Sequence, residues 1–388
     1  MKKRKHIALN YQAGYDFAAG IVIYMQNIIK GFSFLDDEFK PHLTVIYSID
    51  APIEEIKVIG YPYIDYYLYK PIRNNLFSKV INGISKIILK THLIRRYSFP
   101  DNFDLLYPYF ESEETFFYRT RYYWKPDFQE MYYPQHISKN EYDYVIHQMN
   151  HIASNADYML VLSSKDSYHD FEKFFSPYKN KTKVLQFISI QPSLDSLDAA
   201  SVLKKYNISK KYFIVANQFW PHKNHLLVLE AIANLKSEQK GEHLDFELIF
   251  TGKESSYRDK GYSSKLRNYT ETNGLEEDIK FVGFIPRNEQ LLLMKNSIAV
   301  IQPSLFEGWS TVIEDSKALG KFVIASDLKV NKEQITSNCL FFDKHSASEL
   351  QSCMMKVLNG QVVQSEINYI VSTERFKNDL INIFELDK

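Results

Sequence analysis

Cysteine is nearly missing: Cys339 and Cys353 are the only two in 388 residues. Two thiols make no disulfide framework and no four-ligand zinc set, and they suit a reducing cytosol. An excess of either charge is missing too. Lys plus Arg number 47 and Asp plus Glu number 47, so no overall field gathers nucleic acid, and any basic surface must be local. No apolar run reaches the roughly 18 residues of a spanning helix. The basic start MKKRKHIALNYQAG returns to polar residues too soon for a secretory signal. The expected location is therefore cytoplasmic. Tandem repeats and low-complexity tracts are absent as well. What remains, with 45% apolar and 24% charged residues, is a globular chain long enough for two domains.

Short apolar runs alternate with helix-length amphipathic stretches. HIALNY, HLTVIY, FDLLYPY, YMLVLS and KVLQFI read as strands in the first half, with helices at 20–32, 74–96 and 139–156. The pattern restarts with YFIVANQ, FELIFTG, IKFVGF, IAVIQPS, KFVIASD and CLFFD, with helices at 224–237, 261–273, 287–296, 311–320 and 346–358. Repeated β-α-β order implies parallel sheets covered by helices on both faces. Two series imply two doubly wound Rossmann-like domains facing across a cleft, at 1–190 and 210–362. A linker at 191–209 joins them, and a helical segment at 363–388 packs back toward the first. Ligands of such sheets bind at the carboxyl ends of the strands.

One such end carries PSLFEGWSTVIEDSKALGKFVIASD, residues 303–327. Ser310, Thr311 and Val312 should begin a helix, so their N–H groups lack intrahelical partners and face the cleft. With the helix dipole they make an anion site suited to a phosphate. Gly308 lets the backbone come close. Glu307 precedes the turn and can reach a polar group beside the phosphate, and Asp315, one turn into the helix, can grip a diol. A nucleotide sugar has phosphate in the middle and hydroxyls at both ends. A second reading stays open, in which Glu307 and Glu314 are solvated acids complementing a helix N-terminus. Earlier, FIVANQFWPHKNHLLVLEAI (213–232) supplies a strand, a loop with Gln218 and Lys223, and a helix.

Taken together, these motifs resemble the family 4 glycosyltransferases of the two-Rossmann GT-B fold, and more narrowly bacterial enzymes of capsule and O-antigen assembly. The resemblance spans nearly the whole chain and is strongest over 213–333. It implies that Glu307 touches the donor sugar and that Asp315, standing where a second Glu is usual, touches the ribose, with neighbouring Glu314 turned aside. It implies that Lys223 binds the donor diphosphate, with Gln218 in place of the usual Arg, and that the base is read near Phe284 and Ile285. The N-terminal glycine loop corresponds to GYDFAAGIVIY, with Gly20 at the helix start. On the acceptor side lie Trp124, Asp127 and Glu130 of WKPDFQEMYYP, where Glu130 replaces a His. The implied activity is transfer of a sugar from a nucleoside diphosphate to a growing, lipid-linked glycan, with retention and without a metal or other cofactor. Two alternatives stand beside it: a sugar-nucleotide 2-epimerase on the same fold, and a non-catalytic nucleotide-sugar or glycan-binding partner in an assembly complex.

Other constellations admit two readings each. Twelve aromatics in 107–133 are a sugar-stacking cleft or a crowded core edge. His222 and His225 border the diphosphate or belong to the core. Residues 70–99 hold seven Lys or Arg and no acid. At helical spacing Lys79, Lys86 and Lys90 share a face, with Phe77, Ile81, Ile84 and Ile88 opposite. Such a helix, 74–96, either lies peripherally on an anionic membrane or packs its apolar face on the sheet.

Overall fold

The computed structural model describes residues 3–388 apart from 13–14, 73–75, 90–92, 113, 116–117, 119, 177–180, 240–242 and 255–260. Its strands form two sheets in which every pairing is parallel. The first comprises β1 (His6–Tyr11), β2 (His42–Tyr47), β3 (Ile64–Leu68), β4 (Leu105–Tyr107), β5 (Arg121–Lys125), β6 (Tyr158–Leu162) and β7 (Thr182–Val184), in the order β3-β2-β1-β4-β5-β6-β7. The second comprises β8 (Lys211–Val215), β9 (Phe246–Thr251), β10 (Ile279–Gly283), β11 (Val300–Gln302), β12 (Val323–Ser326) and β13 (Cys339–Phe342), in the order β10-β9-β8-β11-β12-β13. Central strands such as β9, β11 and β12 are buried at every position. This follows from helices covering both faces, which leave no wet side for polar alternation. Both orders reverse direction beside their first strand, so each sheet has its crevice at the carboxyl ends there.

The structure departs from the expected layout in several places. β3 and β5 were not anticipated: β3 is an edge strand with few buried positions, and β5 reads RYYWK, cations around aromatics. The run 183–188 leaves the sheet after Val184, because Leu185, Phe187 and Ile188 turn into the core shared with Trp309. The 191–209 stretch also contains a helix, Ala199–Lys205. It packs Val202 beside Leu291 and Leu292 and pairs Lys205 with Glu289 at 2.8 Å. Part of the expected linker is thus built into the second body.

The last helix, Tyr369–Phe384, packs Phe376, Leu380, Ile383 and Phe384 into the core of the first body. Gly31 makes this docking possible, since a Cβ there would collide with the Phe376 ring. Among the described residues, no helix is long and apolar enough to cross a membrane.

Candidate active site

The loops after β8, β11 and β13 are stitched together by main-chain and amide bonds. Leu305 N donates to His222 O at 2.8 Å, while Asn224 Nδ2 donates to Pro303 O at 3.1 Å and to Lys344 O at 2.9 Å. Asn224 takes the left-handed conformation (φ 56°) that lets the Pro221–Lys223 turn run straight into the His225–Glu238 helix. This brings Lys223 Nζ within 2.6 Å of Glu307 Oε1. Gln302 Nε2, at the end of β11, donates to the same oxygen at 2.6 Å, and Asn217 Nδ2 holds Gln302 Oε1 at 2.9 Å. Three polar side chains from the loops after two strands thus fix one carboxylate, Asn217 acting through Gln302. Both bonds fall on Oε1, and Glu307 lines a cleft of about 480 Å³ shared with Tyr132, Asp170 and Lys173 of the first body. Gln218 sits half-buried on the same loop as Lys223.

The start of the Thr311–Ala318 helix is only partly the open anion site expected. Ser310 caps it by accepting from Ile313 N at 3.3 Å. The Ser310 N–H is itself taken by Gln334 Oε1 at 3.0 Å. Those of Thr311 and Val312 meet no acceptor among the described residues. Gly308 does permit a close approach, but to protein: a Cβ there would lie 2.6 Å from Pro126 O and 2.7 Å from Asp127 Cβ. Its missing side chain seats the turn against the first body. Trp309 anchors the same contact through Nε1, which donates to Phe187 O at 2.9 Å.

Asp315 and Glu314 do not stand as expected. Asp315 is 1% exposed; its Oδ1 accepts from Ser189 Oγ at 2.5 Å and pairs with Arg287, and its Oδ2 is buried without a partner. Nothing in this arrangement leaves it open to a diol. Glu314 is not a solvated acid. It is fully buried, with Lys317 Nζ at 2.7 Å and Gln334 Nε2 at 3.1 Å on Oε1, and the Tyr369 hydroxyl donating to Oε2 at 2.7 Å. The same hydroxyl accepts from Ser189 N at 2.7 Å. Burial and the adjacent Glu314 carboxylate raise the Tyr369 pKa, so it stays a donor. Arg287, Gln334 and Tyr369 were missed in the sequence because their importance comes from tertiary contacts; Arg287 alone carried a signal, as a cation opening a helix just after β10.

Phe284 is 67% exposed beyond β10, while Ile285 is buried beside Leu291 and Val312. On the first body Trp124 stacks on Tyr24 with ring centroids 4.1 Å apart and planes at 6°, and its Nε1 donates to Ser163 Oγ at 3.3 Å. Tyr107, Tyr109, Tyr122, Tyr123 and Phe128 are core residues, so the aromatic stretch is largely a packed edge. Asp127 accepts from Gln129 N at 3.0 Å, and burial raises its pKa although Lys125 opposes the shift. Glu130 is buried and pairs with Lys125 at 2.9 Å. Gly20 is exposed inside the Tyr15–Ser33 helix, not at its start. His225 is wholly buried and stacked on Phe219 at 4.7 Å, and burial lowers its pKa to about 3. It belongs to the core, not to an anion site.

Two facing parallel sheets with a crevice at their carboxyl ends define the GT-B architecture. The chain superimposes on Anabaena HepE, solved with UDP and glucose, with a TM-score of 0.66 at 17% identity over 98% of each chain. A glycosyltransferase from Rickettsia africae aligns with a TM-score of 0.62 at 14% identity, over 99% of this chain and 95% of that one. Residues 201–371 match the family described as Glycosyl transferases group 1. That matched region contains Lys223 and Glu307. The O-antigen chain mannosyltransferase RfbU of Salmonella typhimurium is 24% identical over 205 residues, which is 52% of this chain and 55% of the relative. The match thus spans about half of that relative's length.

Proposed function

We propose that the protein transfers a sugar from a nucleoside diphosphate donor to a growing, lipid-linked surface glycan, with retention at the anomeric carbon. The observation that carries this reading is the Lys223–Glu307 pair, held at 2.6 Å in the loops that follow β8 and β11, with Glu307 lining the cleft between the bodies. In the unliganded protein each group neutralises the other. A donor entering between them separates the pair: the ammonium goes to the diphosphate, and Glu307 accepts from a hydroxyl of the sugar. As the bond to the anomeric carbon breaks, negative charge grows on the diphosphate. Lys223 and the Thr311 and Val312 N–H groups stabilise that charge where it develops. Gln218 offers an uncharged hydrogen bond beside them. Phe284 lies open where a base would stack, and Asp315 reaches a ribose only if the bodies separate enough to free it from Ser189. Trp124, Asp127 and Glu130 would form the acceptor wall. Closure of the two bodies would keep water from competing as acceptor.

Kinship of the matched half with an O-antigen mannosyltransferase supports the glycan class. The test is turnover of UDP-, GDP-, dTDP- and CMP-sugars with a lipid extract and with EDTA present. Labelled sugar is expected to move into the lipid fraction with release of nucleoside diphosphate. Conversion of one free nucleotide sugar into another without acceptor, or binding without turnover, would sink the reading.

A further inference from the structure

The Leu76–Leu89 helix is mounted inside out. Its side against the protein is polar: Asn82 and Ser85 are 6% and 4% exposed. Asn82 Nδ2 donates to Ile94 O at 2.7 Å, Ile94 N donates to Asn82 Oδ1 at 2.8 Å, and Leu93 N donates to Ser85 Oγ at 3.3 Å. Its outer side is apolar. Leu76, Phe77, Val80, Ile84 and Ile87 are 79%, 70%, 54%, 54% and 84% exposed. At about 100° per residue these five helix positions fall within an arc of about 100°. Lys79 and Lys86 lie together along one edge of that arc, both exposed. The packing of Phe77 and Ile84 on the sheet, open as one reading of the sequence, is therefore ruled out; Lys90 lies outside the described residues.

We propose that this face is a docking surface for an anionic lipid bilayer. The helix would lie in the plane of the interface, with the apolar arc among the acyl chains and Lys79 and Lys86 on the headgroups. Three observations select this occupant. Fourteen residues span only about 21 Å, short of the roughly 30 Å hydrocarbon core, so the helix can lie on a bilayer but not cross it. The sequence from Tyr66 to Pro100 contains no acid, so every charge this stretch carries is of one sign, opposite to an anionic lipid surface. Arg95 is held by Asp101 at 2.8 Å, while Lys79 and Lys86 stand exposed on the helix where they can meet headgroups. A second copy fits less well, since a two-fold contact through this helix would set its lysines against their own counterparts. The inference does not depend on the proposed reaction.

The test is co-flotation of the full chain with phosphatidylcholine vesicles containing about 30% phosphatidylglycerol, against vesicles of phosphatidylcholine alone. Binding is expected to the anionic vesicles and to weaken with salt. The triple variant Phe77→Ser, Ile84→Ser, Ile87→Ser should lower partitioning at least about 100-fold. Lys79→Glu with Lys86→Glu should lower it at least about 25-fold. All five side chains are exposed, so melting and nucleotide-sugar binding should be unchanged, which separates failure here from failure of the proposed reaction. Absence of wild-type flotation, or a triple variant that floats as wild type does, would overturn the proposal. So would a concentration-dependent dimer in light scattering that the triple variant abolishes.

Discussion

The turn from Glu307 to Asp315 has two ends held by different partners. At Glu307 the partners, Lys223 and Gln302, come from neighbouring loops of the same sheet, and the carboxylate borders a cleft. At Glu314 and Asp315 the partners include Ser189 from the chain leaving the first sheet and Tyr369 from the last helix, and both acids are sealed from solvent. Eight residues separate an acid that borders a cleft from one that the rest of the chain has already closed over. Residue type does not distinguish them. What does is whether a partner comes from outside the second sheet's own loops, as Ser189 and Tyr369 do, because such a partner buries the acid and gives it a structural task.

The largest effect that could break this contrast is expected at Glu314. Glu314→Ala strips Lys317, Gln334 and Tyr369 of a buried partner at once and should cost about 3–5 kcal/mol of stability. Chemical denaturation measures it; a loss below about 1 kcal/mol would mean that this end is as open as the other. Lys223→Ala should do the reverse, leaving the melting temperature nearly unchanged while lowering turnover roughly 100- to 1,000-fold. Stability lost in place of turnover would turn Lys223 into another structural cation.

His225 sharpens the contrast through pH, since it lies two residues from Lys223 yet in the core. Its folded pKa, lowered to about 3 by burial, is below the roughly 6.5 of an unfolded histidine. The unfolded chain therefore takes up a proton that the folded one refuses, and stability falls as pH drops below about 6.5. Between pH 7 and pH 5 the loss should be about 2 kcal/mol. His225→Phe, filling the space beside Phe219 and Phe250, should flatten that slope in urea titrations; an unchanged slope would place its origin elsewhere. The smallest effect is expected at Trp309→Phe, which removes the bond to Phe187 O and should cost about 1 kcal/mol. A fall in turnover larger than this loss of stability explains would tie the seating of the turn to catalysis.

The second sheet was legible because each strand is a short apolar run with a helix of clear period behind it, so β9 and β11 announce themselves. The first was less so. β3 is an edge strand and β5 is bracketed by Arg121 and Lys125, and neither gives the buried-strand signal. At the site, the positions of Lys223 and Glu307 follow from local sequence, each at the end of a strand. The closing of Asp315 does not, because Ser189 reaches it from the chain leaving the first sheet and Arg287 from the helix after β10, and no local pattern marks either contact. Gly308 illustrates the same limit. Its lack of a Cβ was legible as room for close approach, but what approaches is Asp127, contributed by another sheet.

The docking of the last helix bears on how the chain is made. Phe376, Leu380 and Phe384 complete a core whose other members, Val22, Ile29 and Tyr107 among them, are synthesised first. At about 5–20 residues per second, the roughly 180 residues between β7 and that helix take about 10 to 40 s to emerge. Throughout that interval the Gly31 side of the Tyr15–Ser33 helix remains an uncovered apolar groove on a ribosome-bound intermediate. The first body is begun first and finished last, so chaperone occupancy of the nascent chain should persist until the final helix has left the exit tunnel.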